Sequence, residues 1–313
     1  MKPRILVVSS ASMDFYMEVP ALPGPGKTCP ASEYSMLPGG KGTIVSAALS
    51  EFGADPVFCT RLGGDSNGTR LRNFYAESGI DNRFVALTRG CKTGMNVVMT
   101  SPDGSSMRVA CNELSERLRP SDAEDAFTCY PDGVLLQFEA PSDTLIAATA
   151  FAEEQNIPVF VDASAANMKV PLEELKHVEI FCPNEETTEA LTSCKLRTPD
   201  ECMRAALAFN TRVPAKYYVL RMAERGAFLY DGRIYRIVTT YDTDVVDTYG
   251  AGDVFCAMLF SEYLKNGGNI LNAIEYANIA ASISVSRKGG IAAIPSKDEV
   301  DAFIRDNEVQ FEQ

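Results

Sequence analysis

Histidine occurs once in the 313 residues, at His177. A single histidine rules out a His-rich metal site and argues against a Ser-His-Asp triad, so any general base is expected to be a carboxylate. No Cys-x-x-Cys pair occurs among the 9 cysteines, an odd number, and several stand in apolar runs, as Cys59, Cys182 and Cys256 do. They read as reduced thiols of a cytoplasmic protein rather than disulfides or zinc ligands. No run of 18 apolar residues is present, so no transmembrane helix is expected. The first apolar run, Ile5 to Val8, is too short for a signal-peptide core and reads as a buried strand. Positive charge is in deficit: 29 Lys and Arg stand against 42 Asp and Glu, a formal net charge of −13. Such a chain repels a phosphate backbone and an anionic membrane, so neither nucleic acid nor membrane is an expected partner. A phosphorylated ligand would need local dipoles and a few placed cations.

What is present is strand–helix alternation. ILVVS (5–9), VFCTRL (57–62), GVLLQF (133–138), PVFVDA (158–163), EIFCP (179–183) and YYVLRM (217–222) read as strands. Helix-period stretches follow at 41–53, 66–78, 142–155 and 184–192, and again at 251–266, 269–287 and 296–305. The pattern predicts an α/β fold, a mostly parallel sheet covered on both faces, in one domain spanning 1–313. Two regions break the rhythm. Residues 14–37, and a hairpin at 94–111 turning on Pro102-Asp103-Gly104, predict a small separate sheet, a lid built from about 12–38 and 93–111. A second hairpin, 227–238, turns at Asp231-Gly232. Residues 307–313 read as a frayed tail.

LPGPGKT (22–28) ends like a nucleotide-binding P-loop, but the first glycine of that motif is replaced by Ala21. Pro20, Pro23, Pro25 and Pro30 keep a helix from starting there and remove backbone donors. It is expected to be a connecting loop of the lid. VDTYGAGDVFCAMLF (246–260) is the better phosphate site. Gly250, Ala251 and Gly252 open an apolar helix, where free N–H groups and the helix dipole favour an anion. Such a hole can stabilise a transferring phosphoryl group, and Asp253 in the first turn can take a proton from an attacking hydroxyl. From this motif alone, a plain glycine-rich turn reads equally well. A second turn, Gly39-Gly40-Lys41-Gly42, adds close backbone approach and one cation, suited to a polyhydroxylated ligand; a tight turn with a solvated lysine is the plainer reading.

Gly-Gly-Lys-Gly before the first long helix, Pro183-Asn184-Glu185 after a strand, and Asp247-Thr248-x-Gly-Ala-Gly-Asp253 together resemble ribokinase and its PfkB-type carbohydrate kinase relatives. The resemblance runs from Ile5 to about Ile304. It implies a ribokinase-like αβα doubly wound fold with a small β-sheet lid, often a homodimer through that lid. It implies transfer of the ATP γ-phosphate to a hydroxyl of a small sugar or sugar-like substrate, with magnesium. In this reading Asp253 is the base and Gly250, Ala251 and Gly252 the anion hole. Sugar contacts fall to Asp14, Gly40, Lys41 and Glu139. Asn184 lies near magnesium and phosphate, Arg221, Ala223 and Gly226 form the nucleotide loop, and Asn278 falls at the adenine pocket. Asp247 with the carbonyls near Tyr249, Ser284, Arg287 and Gly289 matches a potassium loop.

The chain also departs from the family. Ser12 and Ile44 stand where ribokinase carries asparagines, which removes hydrogen bonds to sugar hydroxyls and points to a substrate that is less hydroxylated or carries an apolar group. Thr187 replaces the glutamate of Asn-x-x-Glu, and Glu186 is about 100° around the helix from it. Arg221 either adds a cation beside the phosphates or blocks the usual contact, and Ala223 fits only if its φ is negative. A nucleoside kinase, with Ile44 against a base, and a non-catalytic sugar or nucleotide sensor are the alternatives.

Overall fold

The structure, a computed structural model, describes residues 2–102, 106–111, 114–164 and 169–311. Apolar runs become strands and the stretches between them helices. In chain order the elements are β1 (Arg4–Val8), β2 (Ser12–Glu18), β3 (Glu33–Gly39), α1 (Lys41–Glu51), β4 (Asp55–Gly63), α2 (Ser66–Glu77) and β5 (Val85–Thr88). Next come β6 (Gly94–Thr100), β7 (Ser106–Cys111), α3 (Pro120–Ala126), β8 (Gly133–Gln137), α4 (Ser142–Gln155), β9 (Val159–Asp162) and β10 (Val178–Cys182). The chain closes with α5 (Glu185–Thr192), α6 (Pro199–Asn210), β11 (Ala215–Arg221), β12 (Ala227–Tyr230), β13 (Tyr235–Val238), α7 (Ala251–Lys265), α8 (Ile270–Val285) and α9 (Lys297–Asp306).

Nine strands form one sheet in the order β13-β12-β11-β10-β9-β8-β1-β4-β5. From β11 to β5 all neighbours are parallel; β12 and β13 add an antiparallel edge. Successive residues of a strand face opposite sides, so a strand covered on both sides is apolar throughout. In β1, Ile5 and Val7 pack among side chains of α1, α7 and α8, while Leu6 and Val8 pack among those of α3, α4 and α6. The ribokinase-like layering expected from the sequence is therefore present. The strand β5 and the helices α3 and α6 were not among the sequence expectations; β5 and α3 are only 4 and 7 residues long. The residues of LPGPGKT lie in an exposed connection between β2 and β3, and no helix follows Lys27.

A second sheet has the order β3-β2-β6-β7. Its register puts Tyr16, Val98 and Arg108 in one row, and Asp14 and Asn96 in the next, all on one face. The other face carries Phe15, Tyr34, Met95, Val97, Met107 and Val109. The tip of the 94–111 hairpin, Asp103-Gly104, lies outside the described residues, as do Glu312 and Gln313 of the C-terminal tail.

Candidate active site

The order of the large sheet changes direction between β1 and β8, because the chain adds β4 and β5 on one side of β1 and all later strands on the other. Loops leaving opposite ways there open a crevice at the carboxyl ends of the strands. The polar residues of the chain's apolar strands gather at that end. Ser9, just past β1, donates to Gln137 Oε1 at 2.6 Å. Gln137, the last residue of β8, donates through Nε2 to Asp162 Oδ2 at 2.8 Å and to Asp253 Oδ1 at 3.1 Å. Asp162 ends β9, and Arg221 ends β11 and pairs with Asp162 Oδ1 at 2.7 Å. Lys41, the first residue of α1, meets Asp253 Oδ1 at 2.9 Å and Asp162 Oδ2 at 3.7 Å.

Two carboxylates thus face two cations, and the buried charge closes locally, as buried charge requires. Burial pushes the Asp253 carboxyl above the ordinary aspartate value, against the pull of Lys41. Burial opposes a charged Lys41, but Asp253, Asp162 and Glu139 outweigh it and hold the ammonium charged. Asp162 is buried as well, yet Lys41, Arg221, Ser164 and Gln137 hold it below the usual range. Glu139 is pushed up by burial, offset in part by Lys41 and by the hydrogen bond it accepts from Ser10.

Gly40 is dictated by this packing, and Gly252 lies close under a side chain. Gly40 has φ 84°, and a Cβ there would lie 2.8 Å from the backbone nitrogen of Ser12. A Cβ on Gly252 would lie 2.7 Å from Arg221 Nη1, which donates to the Gly252 carbonyl at 2.8 Å. At the start of α7 the N–H groups of Gly250 and Gly252 donate to no backbone carbonyl among the described residues. A helix start with free donors, an adjacent carboxylate able to take a proton, and an ammonium holding that carboxylate can serve a transfer in which negative charge builds on the moving group.

Asp14 is fully enclosed. Its Oδ1 accepts from Ser12 Oγ at 3.0 Å and Asn96 Nδ2 at 2.7 Å, and its Oδ2 from the Tyr249 hydroxyl at 2.7 Å. Asp247 accepts from the N–H of Tyr249 through Oδ1 and from that of Gly289 through Oδ2, each at 2.9 Å. Gly290 N–H in turn bonds the Tyr249 carbonyl at 2.9 Å. The turn before α7 is therefore pinned to the segment after α8. Ser284 Oγ is buried there without a partner among the described residues, while Arg287 points away to Glu299.

Other predicted residues lie differently. Ile44 is 0% exposed, inside α1, so it faces no ligand in this conformation. Arg221 points inward to Asp162 and Gly252 rather than outward as a free cation. Ala223 has φ 49°, not the negative value expected, and holds the left-handed region without being glycine; Gly226 N–H closes that turn on the Ala223 carbonyl. Asn184 caps α5, its Oδ1 accepting from Thr187 N–H at 2.9 Å, while Glu185 pairs with Arg225. The Asn278 amide bonds the carbonyls of Val238 and Thr239, both at 3.1 Å, and so ties α8 to the end of β13. Gln137, Asp162, Asn96 and Arg108 were missed. Asp162 carried a signal, a charged residue closing the apolar run PVFVDA; the other three carried none.

The sequence pattern of the pfkB family carbohydrate kinases matches residues 2–297. A ribokinase of Haemophilus influenzae is 27% identical over 309 residues, covering 97% of this chain and 99% of its own. A deoxyribokinase of Salmonella typhi is 25% identical and covers 97% of this chain and 99% of its own. The solved structure of Arabidopsis thaliana ribokinase complexed with ribose and ATP superposes with a TM-score of 0.87 at 26% identity, over 97% of this chain and 99% of that one. With the matched pattern running through nearly every element from β1 to the start of α9, and a large sheet and a small one arranged as in a solved ribokinase, the chain belongs to the pfkB family of carbohydrate kinases.

Proposed function

We propose that this sugar kinase uses Asp253 as the base that activates a hydroxyl of a small sugar or sugar-like acceptor, with the start of α7 as the anion hole. The observation that carries the reading is the contact of Lys41 with Asp253 at the head of a helix where the Gly250 and Gly252 amides donate to no backbone carbonyl among the described residues. ATP supplies the γ-phosphoryl group. The acceptor hydroxyl gives its proton to Asp253 as its oxygen forms the new bond to phosphorus. The bond to the β–γ bridging oxygen breaks and ADP departs with that electron pair. Gly250 and Gly252 offer amides to the charge on the group in flight, and the Ala251 N–H between them bonds the Thr248 carbonyl at 3.3 Å. Lys41, released from Asp253 by the proton transfer, is left to the phosphoryl oxygens. The β2-β3-β6-β7 sheet acts as the lid that excludes water.

No cluster of three His, Cys, Asp or Glu side chains fit to hold a metal occurs among the described residues, so magnesium is proposed to arrive on the ATP phosphates, near Asn184. A potassium ion is proposed beside Asp247, where the orphaned Ser284 Oγ and the carbonyls around Tyr249 and Gly289 provide neutral oxygen. Nine cysteines without a disulfide support a reducing, cytoplasmic setting. The test is ADP release from ATP and magnesium across pentoses, hexoses, sugar acids, polyols and nucleosides, with and without potassium. Turnover on one sugar class, faster with potassium, is the expected result. Equal rates without potassium would remove the cation, and silence with every acceptor would favour a sensor.

The outer face of the small sheet is apolar and open: Tyr34 is 72% exposed, Val109 53% and Met107 44%. A contiguous patch of this kind on a four-stranded sheet marks an association surface. We infer a homodimer through it. Val109→Lys should turn a sedimenting dimer into a monomer; a wild-type protein that sediments as a monomer at micromolar concentration would rule the dimer out.

A further inference from the structure

Among the described residues, the inward face of the small sheet holds one cation, Arg108. Strand alternation and register place it next to Val98, on the face shared with Tyr16 and Asp14 one strand further on, and its guanidinium lies 5.0 Å from the centre of the Tyr249 ring. In a chain with 42 acidic residues this arginine forms no ion pair among the described residues. The nearby acids are already engaged. Both Asp14 oxygens are taken by Ser12, Asn96 and Tyr249, and Glu139 Oε2 accepts from Ser10. The Arg108 charge still reaches Glu139, Tyr16 and Tyr249. Stacking on a phenol ring holds the planar fork while leaving its edge N–H groups free, a geometry that matches carboxylate or phosphate oxygens in pairs. A neutral polyol gains little at this end: Ser12 spends its hydroxyl on Asp14, Tyr249 caps the carboxylate, and Ile44 is buried.

We propose that the acceptor is an anionic sugar, a sugar carboxylate or sugar phosphate, whose charged end is held by Arg108 on the lid sheet while a hydroxyl at its other end faces Asp253. The proposal rests on the sugar-kinase reading for the chemistry but on its own residues for the charge.

The experiment compares matched acceptors: D-ribose, D-ribonate and D-ribose 5-phosphate; D-glucose, D-gluconate and D-glucose 6-phosphate. ADP release and calorimetric binding are measured for wild type, Arg108→Gln and Arg108→Lys. One anionic series is expected to exceed its neutral parent in kcat/KM, and which one identifies carboxylate or phosphate. Arg108→Gln should raise KM for that acceptor by roughly 10- to 100-fold, the loss of a charged hydrogen-bond pair. KM for ATP should hold, the loss with neutral sugars should be smaller than with the anionic acceptor, and Arg108→Lys should recover part of the loss. Arg108 is exposed, so both variants are expected to fold. The proposal falls if neither anionic series binds or reacts better than its parent. It also falls if Arg108→Gln instead raises KM for ATP with every acceptor, which would give the arginine to the nucleotide phosphates. Anion binding that depends on Arg108 without ADP release from any acceptor would sink the kinase reading and leave the anion subsite standing.

Discussion

Asp253→Asn is expected to lower kcat by roughly 10²- to 10⁴-fold, the usual worth of a positioned general base, with little change in folding. The reason lies in which oxygen is used. Lys41 Nζ and Gln137 Nε2 both bond Oδ1, and an asparagine keeps an acceptor oxygen at that place. What it loses is the second oxygen and the capacity to hold a proton. The pH profile gives an independent check. A base acts in its unprotonated form, so wild-type kcat/KM should fall as pH drops through the carboxyl's pKa. Burial sets that pKa above the ordinary aspartate value of about 3.9, so the acidic limb should begin higher than a solvated aspartate would place it. In the asparagine variant that limb should vanish. Undiminished turnover by the variant would remove Asp253 from the reaction.

Arg221→Met carries the largest expected effect on stability. Asp162 is 0% exposed, and its guanidinium partner also holds the Gly252 carbonyl. Removing one member of a buried ion pair strands the other charge and costs about 3–5 kcal/mol. Lys41, at 3.7 Å, compensates only in part. Burial disfavours a charged arginine here, but Cys256, Asp162 and other neighbouring groups keep its pKa above the ordinary value. Denaturant unfolding should show the loss, and Arg221→Met combined with Asp162→Asn should regain much of it, because the stranded charge is then gone. A single variant within 1 kcal/mol of wild type, on the order of a surface pair's worth, would mean that the pair contributes nothing to the fold.

The large sheet was legible because parallel strands buried on both faces leave continuous apolar runs, and because their helices repeat near 3.6 residues. Helix α6 was missed although its start carries Thr198, Pro199 and Glu201, and Thr198 accepts from Glu201 N–H as an N-cap. Its buried residues Cys202, Ala205, Ala206 and Phe209 recur at helical spacing, so the signal was there to be read. The glycine turns at Gly40 and Gly250 were legible as local chemistry. The pairs that complete the site were not. Lys41 and Asp253 are 212 residues apart and Asp162 and Arg221 are 59 apart. No spacing rule links such positions; the sheet order does. Arg221 was singled out only by its departure from a family pattern, which could not say that it turns inward. Tyr249 was noticed for its carbonyl, yet its phenol reaches Asp14, 235 positions away.

The small sheet is one residue thick, and alternate side chains of the same four strands look toward Tyr249, in the turn before α7, and toward the apolar exterior. Asn96 bonds Asp14 while its strand neighbours Met95 and Val97 lie on the outer side. A tilt of these strands that suits an acceptor is therefore also a reshaping of the surface offered to a second subunit. If the outer face is occupied by a partner, the two equilibria share one free-energy term and each must change the other by the same factor. Acceptor affinity would then depend on protein concentration, and a subunit would read its partner's occupancy through a single layer of backbone.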